Sequence, residues 1–197
     1  LPYLDTSINH LDKTYMVDHN NSSRIESSRI TKGVSVDTLI EKYFSAFNAA
    51  RLAEACRLLE KKVLKKDVVL GLSLSGALTP AGLGSSSLVS WIENGWVDYI
   101  VSTGANLYHD IHFGLGLPLY KTTPFVDDVY LRKENIIRIY DIIFDFDVLV
   151  RSDKYIYKVF GEPEFDGKMG TAELHHKLGK YVDATERELG CEGKTIL

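Results

Sequence analysis

The sequence predicts an α/β fold in which helices cover a parallel sheet. Three observations carry this: a short, almost wholly apolar run at residues 68–74 followed by a second strand signal at 97–102, a helix signal between them, and small residues at the end of each strand. Parallel strands are buried on both faces and so read as continuous apolar runs. A strand–helix–strand order in one sheet implies a right-handed crossover.

Size and composition agree. The 197 residues are enough for one sizeable domain, and the 45% hydrophobic and 25% charged shares are ordinary for a globular chain. A net charge of -4 argues against a general nucleic-acid binder, since a phosphate backbone demands a basic surface. It is compatible with a cationic ligand such as a polyamine. Cys56 and Cys191 lie too far apart to resemble a metal pair, and Cys56 falls in an apolar helical pattern with Ala53 and Leu59 as a small core residue. A reduced, cytoplasmic protein is expected. There is no run of about eighteen apolar residues that would span a membrane, and no signal-peptide pattern follows Leu1.

Residues 1–35 are polar, with Asn20, Asn21, Ser22 and Ser23 clustered, and read as an extended arm before a domain at 36–197. Ser35 is a helix cap, and Leu39, Ile40, Tyr43, Phe44 and Phe47 recur at helical spacing. The helix continues, with a break near Asn48, to a solvated exit at 61–66. After the first strand, Thr79 and Pro80 read as cap and first turn of a helix that Gly95 ends. Following the second strand, another helix begins near Asn106. Residues 121–130 read as loop, and 135–144 as either strand or buried helix. Helices are expected at 147–160 and 171–189, and 194–197 as the opening of a further strand.

The strongest chemical signal is the pair of small-residue strand ends, Ser75-Gly76-Ala77 and Thr103-Gly104-Ala105. Small residues let a ligand approach the backbone, and a helix start offers unpaired N–H groups to an anion. Adjacent strand ends of this kind form the crevice that holds nucleotides in open α/β sheets; tight turns that need glycine for backbone reasons explain them equally well. No G-x-G-x-x-G fingerprint is present, and Gly114 and Gly116 do not follow a strand. His109 and His112 share a helix face, but no third metal ligand is placed by sequence. His175 and His176 are sequential neighbours expected on different faces. No G-x-S-x-G elbow supports hydrolase chemistry. Asp145 and Asp147 read as acidic residues flanking core aromatics.

At these residues the sequence resembles the deoxyhypusine synthase family. The matching segments are 70–82 and 94–107, with a looser match at 47–55, and the likeness runs from about Val36 to Leu197, corresponding to the family's amino-terminal half. The resemblance implies a Rossmann-like NAD-binding fold, incomplete in this chain, assembled as a homotetramer of paired subunits. It implies oxidation of spermidine by NAD, release of diaminopropane, and passage of the aminobutyl group through an enzyme lysine to a lysine of a translation factor. NAD supplies the reactivity and the protein placement and charge.

By the same resemblance, Ser75, Gly76, Ala77, Thr103, Gly104 and Ala105 contact NAD, and Tyr108, His109 and Asp110 lie on the substrate side. Asp110 matches an acidic position, whereas Tyr108 and His109 stand where the eukaryotic enzymes carry glutamates. That departure leaves the amine and its acceptor open, with transfer to a free amine, as in homospermidine synthase, as one alternative. The carrier lysine is expected beyond the point matching Leu197, so no catalytic residue is assigned and the chain alone is expected to be inactive. A carboxyl-terminal companion or missing segment would supply the remainder. A non-catalytic NAD-binding regulatory subunit is the other alternative, and an uncompleted sheet would leave the last strand as an unprotected edge.

Overall fold

The computed structural model describes residues 24–197; the expected arm falls outside the described residues up to residue 23, and 24–35 are largely exposed and irregular. The chain divides into two compact units that meet between Lys62 and Val63.

In the first unit, Ser35 caps as expected, its hydroxyl accepting from Thr38 N at 3.2 Å. Helix α1 (Val36–Thr38) widens at once into a π-helical turn, Leu39–Tyr43. The break lies at residues 44–46, just before Asn48, and α2 (Phe47–Leu58) follows. It buries Ala50 and Ala53 and leaves Cys56 half-buried. A second wide turn, Leu59–Val63, carries the helical path out.

The second unit is mixed α/β with two small sheets. Strands β1 (Gly71–Leu74) and β2 (Tyr99–Ser102) pair in parallel, with Leu74 opposite Ser102. The connection between them is less regular than the single helix expected. Thr79–Ala81 is one 3-10 turn ended by Gly82 at φ 77, and a wide turn at Gly84–Leu88 leads into α3 (Val89–Glu93). Gly82 takes a left-handed conformation open to glycine at little cost, and this interrupts the helix. Thr79 is not the cap: Leu78 occupies that position, and the Thr79 hydroxyl donates instead to Asn106 O at 2.7 Å. Gly95, at φ 65, does end α3.

Helix α4 (Gly104–Gly114) starts directly after β2, capped by Thr103. Strand β3 (Tyr120–Lys121) and α5 (Asp128–Lys133) overlap only the two ends of the segment expected as loop at 121–130, and residues 122–127 between them are irregular as expected. The Asp127 side chain caps α5 by accepting from Val129 N at 2.8 Å, a local signal of helix start. The ambiguous stretch at 135–144 is a hairpin of β4 (Ile136–Ile139) and β5 (Ile142–Asp145), joined by Tyr140 and Asp141. With β3 it forms an antiparallel sheet in the order β3-β5-β4. Its β-branched isoleucines suit a pleated, half-buried surface.

Helices α6 (Phe146–Phe160) and α7 (Thr171–Leu189) match expectation closely. Ile111, Val159, Leu178 and Val182 bring α4, α6 and α7 into one core; Leu117, Phe144 and Val148 form a second beneath the hairpin. Residues 194–197 do not form the strand expected of them. Their backbone is claimed by side chains: Asp110 Oδ2 accepts from Ile196 N at 2.7 Å and Glu186 Oε2 from Lys194 N at 3.3 Å. Gly179 lets α7 lie against this segment, because a Cβ there would come 2.7 Å from the Leu197 carbonyl carbon.

Candidate functional site

The parallel register of β1 and β2 brings their small-residue ends together. Thr103 N donates to Leu74 O at 3.1 Å, and the Thr103 hydroxyl donates to Gly76 O at 2.5 Å. Fully buried Asn106 ties the same two segments from below. Its Oδ1 accepts from Leu78 N at 2.7 Å, and its Nδ2 donates to Thr103 Oγ1 at 3.1 Å and Leu74 O at 3.4 Å. A buried amide with both ends satisfied holds its neighbours in one arrangement.

Above this lattice Ser75, Gly76, Thr103, Gly104 and Ala105 are exposed and Ala77 is half-buried. Gly76 sits at φ 61, a conformation that glycine adopts freely. A Cβ placed on either Gly76 or Gly104 meets nothing within 4 Å, so the floor they form is open. Among the first-turn N–H groups of α4, that of Asn106 is taken by Thr103 Oγ1 at 3.4 Å, and those of Gly104 and Ala105 are left for an anion. Small side chains, an open surface and free helix-start N–H groups fit the phosphates of a dinucleotide.

The three substrate-side residues part company along α4. Tyr108 and His109 pack toward α6 and the hairpin. The Tyr108 hydroxyl donates to Asp153 Oδ1 at 2.7 Å, and burial with the adjacent carboxylate pushes that phenol well up. His109 Nδ1 lies 3.0 Å from His112 Nε2, and His112 Nδ1 lies 2.7 Å from Ser152 Oγ. Burial lowers both imidazoles, and that of His112, fully buried beside His109, falls to about 4. Phe144 closes the cluster at 6.1 Å from the His109 ring and 5.7 Å from that of His112.

Asp110 has no exposed surface and contacts the 194–197 segment. Burial raises its carboxyl to about 7 against the lowering effect of the Ile196 and Leu197 N–H groups, and the Glu186 charge adds to the rise. Its second oxygen has no hydrogen-bond partner among the described residues, as is true of Glu186 Oε1.

Elsewhere, a cleft of about 480 Å³ lies along β2 and the start of α7, bordered by Val101, Ser102, Leu107 and Leu197. His175 and His176 both line it, although their adjacency in sequence points to different faces. Among the described residues no group of three or more histidine, cysteine or acidic side chains is placed to hold a metal, and no helix is long and apolar enough to cross a membrane. Sequence reasoning overlooked Asn106, Ser152 and Asp153 as parts of the site. Asn106 followed the helix start by only two positions, whereas Asp153 is 45 residues from Tyr108 and carries no local signature.

The geometry defines a mixed α/β protein whose parallel pair presents an open, small-residue floor at a helix start. The chain belongs to the deoxyhypusine synthase family, whose model matches residues 38–191. It is 54% identical over 176 residues to a deoxyhypusine synthase-like protein of Cyanothece sp., covering 89% of this chain and 44% of that protein. A deoxyhypusine synthase-like protein of Thermosynechococcus vestitus is 55% identical over 166 residues, covering 84% and 41% respectively. A probable deoxyhypusine synthase 1 of Archaeoglobus fulgidus is 33% identical over 175 residues, covering 84% and 57%. The chain thus spans between about two fifths and three fifths of the length of these relatives.

Proposed function

We propose that the chain supplies part of the NAD site of an enzyme that moves the aminobutyl group of spermidine to a lysine of a translation factor. In this reading residues 36–197 are the amino-terminal part of one Rossmann-like NAD-binding domain, in a cytoplasmic tetramer of paired subunits, with the carrier lysine in a companion or continuing segment. One observation carries it: Thr103 and Gly76 are bonded directly, so the two strand ends make a single floor. NAD, when bound, accepts and returns a hydride. Ser75, Gly76 and Ala77 on one side and Thr103, Gly104 and Ala105 on the other would hold it, through backbone groups and closeness of approach.

Transfer to a free amine, as in homospermidine synthase, is the second reading, and Tyr108 and His109 favour it. They stand where the eukaryotic enzymes carry glutamates, which leaves Asp153 as the carboxylate beside Tyr108 and the acceptor open. A non-catalytic NAD-binding subunit is a third; membership of a family with relatives called synthase-like motivates it. Incubation of the protein, with every chain that co-purifies, in NAD and labelled spermidine separates them. Diaminopropane with labelled protein supports the first, and diaminopropane with a labelled small amine supports the second. NAD binding with no diaminopropane supports the third and overturns both transferase readings. The 197-residue chain by itself should release none.

A further inference from the structure

Three side chains of α4 and α6 stand in line between the core and the surface, and their hydrogen bonds fix where the protons sit. Ser152 Oγ lies 2.7 Å from His112 Nδ1, and His112 Nε2 lies 3.0 Å from His109 Nδ1. Ser152 and His112 have no exposed surface, and the buried Phe144 ring packs on both imidazoles. His109 is half-buried. Its Nε2 has no hydrogen-bond partner among the described residues and is not one of their enclosed unpaired atoms, so it opens outward.

A neutral imidazole carries one N–H and one lone pair, and burial holds both rings neutral. Two proton arrangements then complete both bonds. In one, the Ser152 hydroxyl donates to His112 Nδ1, His112 Nε2–H donates to His109 Nδ1, and His109 turns an N–H outward. In the other every bond is reversed, and His109 turns a lone pair outward. The reversed arrangement leaves the Ser152 hydroxyl proton without an acceptor. A helical serine can donate to the carbonyl four residues back, yet among the described residues Ser152 Oγ bonds neither Val148 O nor anything else besides His112. Its burial also denies that proton bulk water. A stranded donor of this kind disfavours the reversed arrangement by about tenfold or more. The first arrangement leaves only serine lone pairs unused, which costs less.

We infer that His112 is a positioning residue: from inside the core it donates its Nε2–H to His109, and so presents His109 to the site as an outward N–H donor. Ser152 sets the direction by donating first. His109 follows Ala105 by one helical turn, about 5.4 Å along α4, so the donor stands next to the strand-end floor. A neutral N–H donor at this place recognises a lone pair, on a carbonyl or hydroxyl oxygen, where a carboxylate would recognise a proton. The proton placement does not rest on the NAD reading, and it is tested without the cofactor.

Long-range proton–nitrogen NMR at neutral pH, on the protein with its six histidines isotopically labelled and with any co-purifying chain, tests this. His109→Gln and His112→Phe assign the two rings. In the wild type both Nε2 atoms should carry the proton and both Nδ1 atoms none, with a scalar coupling across the bond from His112 Nε2 to His109 Nδ1. His112→Phe keeps a ring in the core and removes the donor. There the coupling should vanish, and His109 should pass from one form in about tenfold excess or more to a mixture of both, which a packing role would not cause. The wild-type spectrum decides even where that variant does not fold. The shared proton on His109 Nδ1, or an even mixture of forms on either ring, overturns the inference. A folded His112→Phe in which His109 keeps its single form overturns it too.

Discussion

The side-chain carbonyl of Asn106 accepts the backbone N–H of Leu78 at 2.7 Å, fastening the start of α4 to the loop that leaves β1. The same amide also donates to Leu74 O and to Thr103, alongside the direct bonds from Thr103 to Leu74 and Gly76. Asn106→Ala would strand the partly buried Leu78 donor and empty a packed site. The expected loss is about 2–3 kcal/mol of unfolding free energy, read as a lowered urea midpoint with an unchanged denaturant slope. Asn106→Asp keeps the acceptor for Leu78, loses both donations and buries a charge, so it should be no better. A variant within about 0.5 kcal/mol of wild type would show that the amide network does not hold the tips together.

Gly76 and Gly104 separate conformational from steric requirements. A Cβ at either would meet open space, but Gly76 has φ 61 and Gly104 lies in the first turn of α4. Gly76→Ala should therefore destabilise by about 1 kcal/mol through backbone strain. Gly104→Ala should be neutral or slightly stabilising. Thermal melts that rank the two in the opposite order would contradict the backbone geometry of the floor.

Gly114 tests the packing below it. A Cβ there would lie 2.7 Å from Val182 Cγ1 and 2.9 Å from Thr195 Cγ2. Gly114→Ala should cost about 1–3 kcal/mol by overpacking between α4 and α7. An unchanged melting temperature would mean that the helices part more easily than the close contact implies.

Two buried groups on α4 pull stability in opposite directions with pH. Asp110 titrates near 7 in the fold and near 3.8 unfolded, so the fold holds the extra proton between those values and stability falls as pH rises through that window. His112 titrates near 4 in the fold and near 6.5 unfolded, so here the unfolded chain holds the extra proton and stability falls as pH drops through 6.5 toward 4. The two slopes offset each other in the wild type. Asp110→Asn should expose the histidine slope, up to about 1.4 kcal/mol lost per pH unit of acidification below 6.5. His112→Asn should expose the reverse. Urea midpoints between about pH 4.5 and pH 7 check this, and parallel curves for wild type and Asp110→Asn would refute it.

What was legible in the sequence was what local rules govern. Strands β1 and β2 showed as apolar runs, and α6 and α7 declared themselves by periodicity. The hairpin at 136–145 was not legible because isoleucines occupy successive positions and erase the alternation that distinguishes strand from helix. Residues 194–197 look like a strand, yet Asp110 and Glu186 claim their N–H groups from distant helices. The strand ends drew attention as a candidate site from their small residues alone. Their union through Asn106 and Thr103, and the pairing of Tyr108 with Asp153, are contacts between segments distant in sequence and needed the fold to be seen.

The most direct test of the nucleotide floor is calorimetric titration of NAD into the wild type and Gly104→Val, each with any co-purifying chain. The wild type should bind, and Gly104→Val, which fills the open floor without touching the core, should lose affinity by about tenfold or more while folding normally. No NAD binding by the wild type, or equal binding by the valine variant, would contradict the claim that the paired strand ends carry the cofactor.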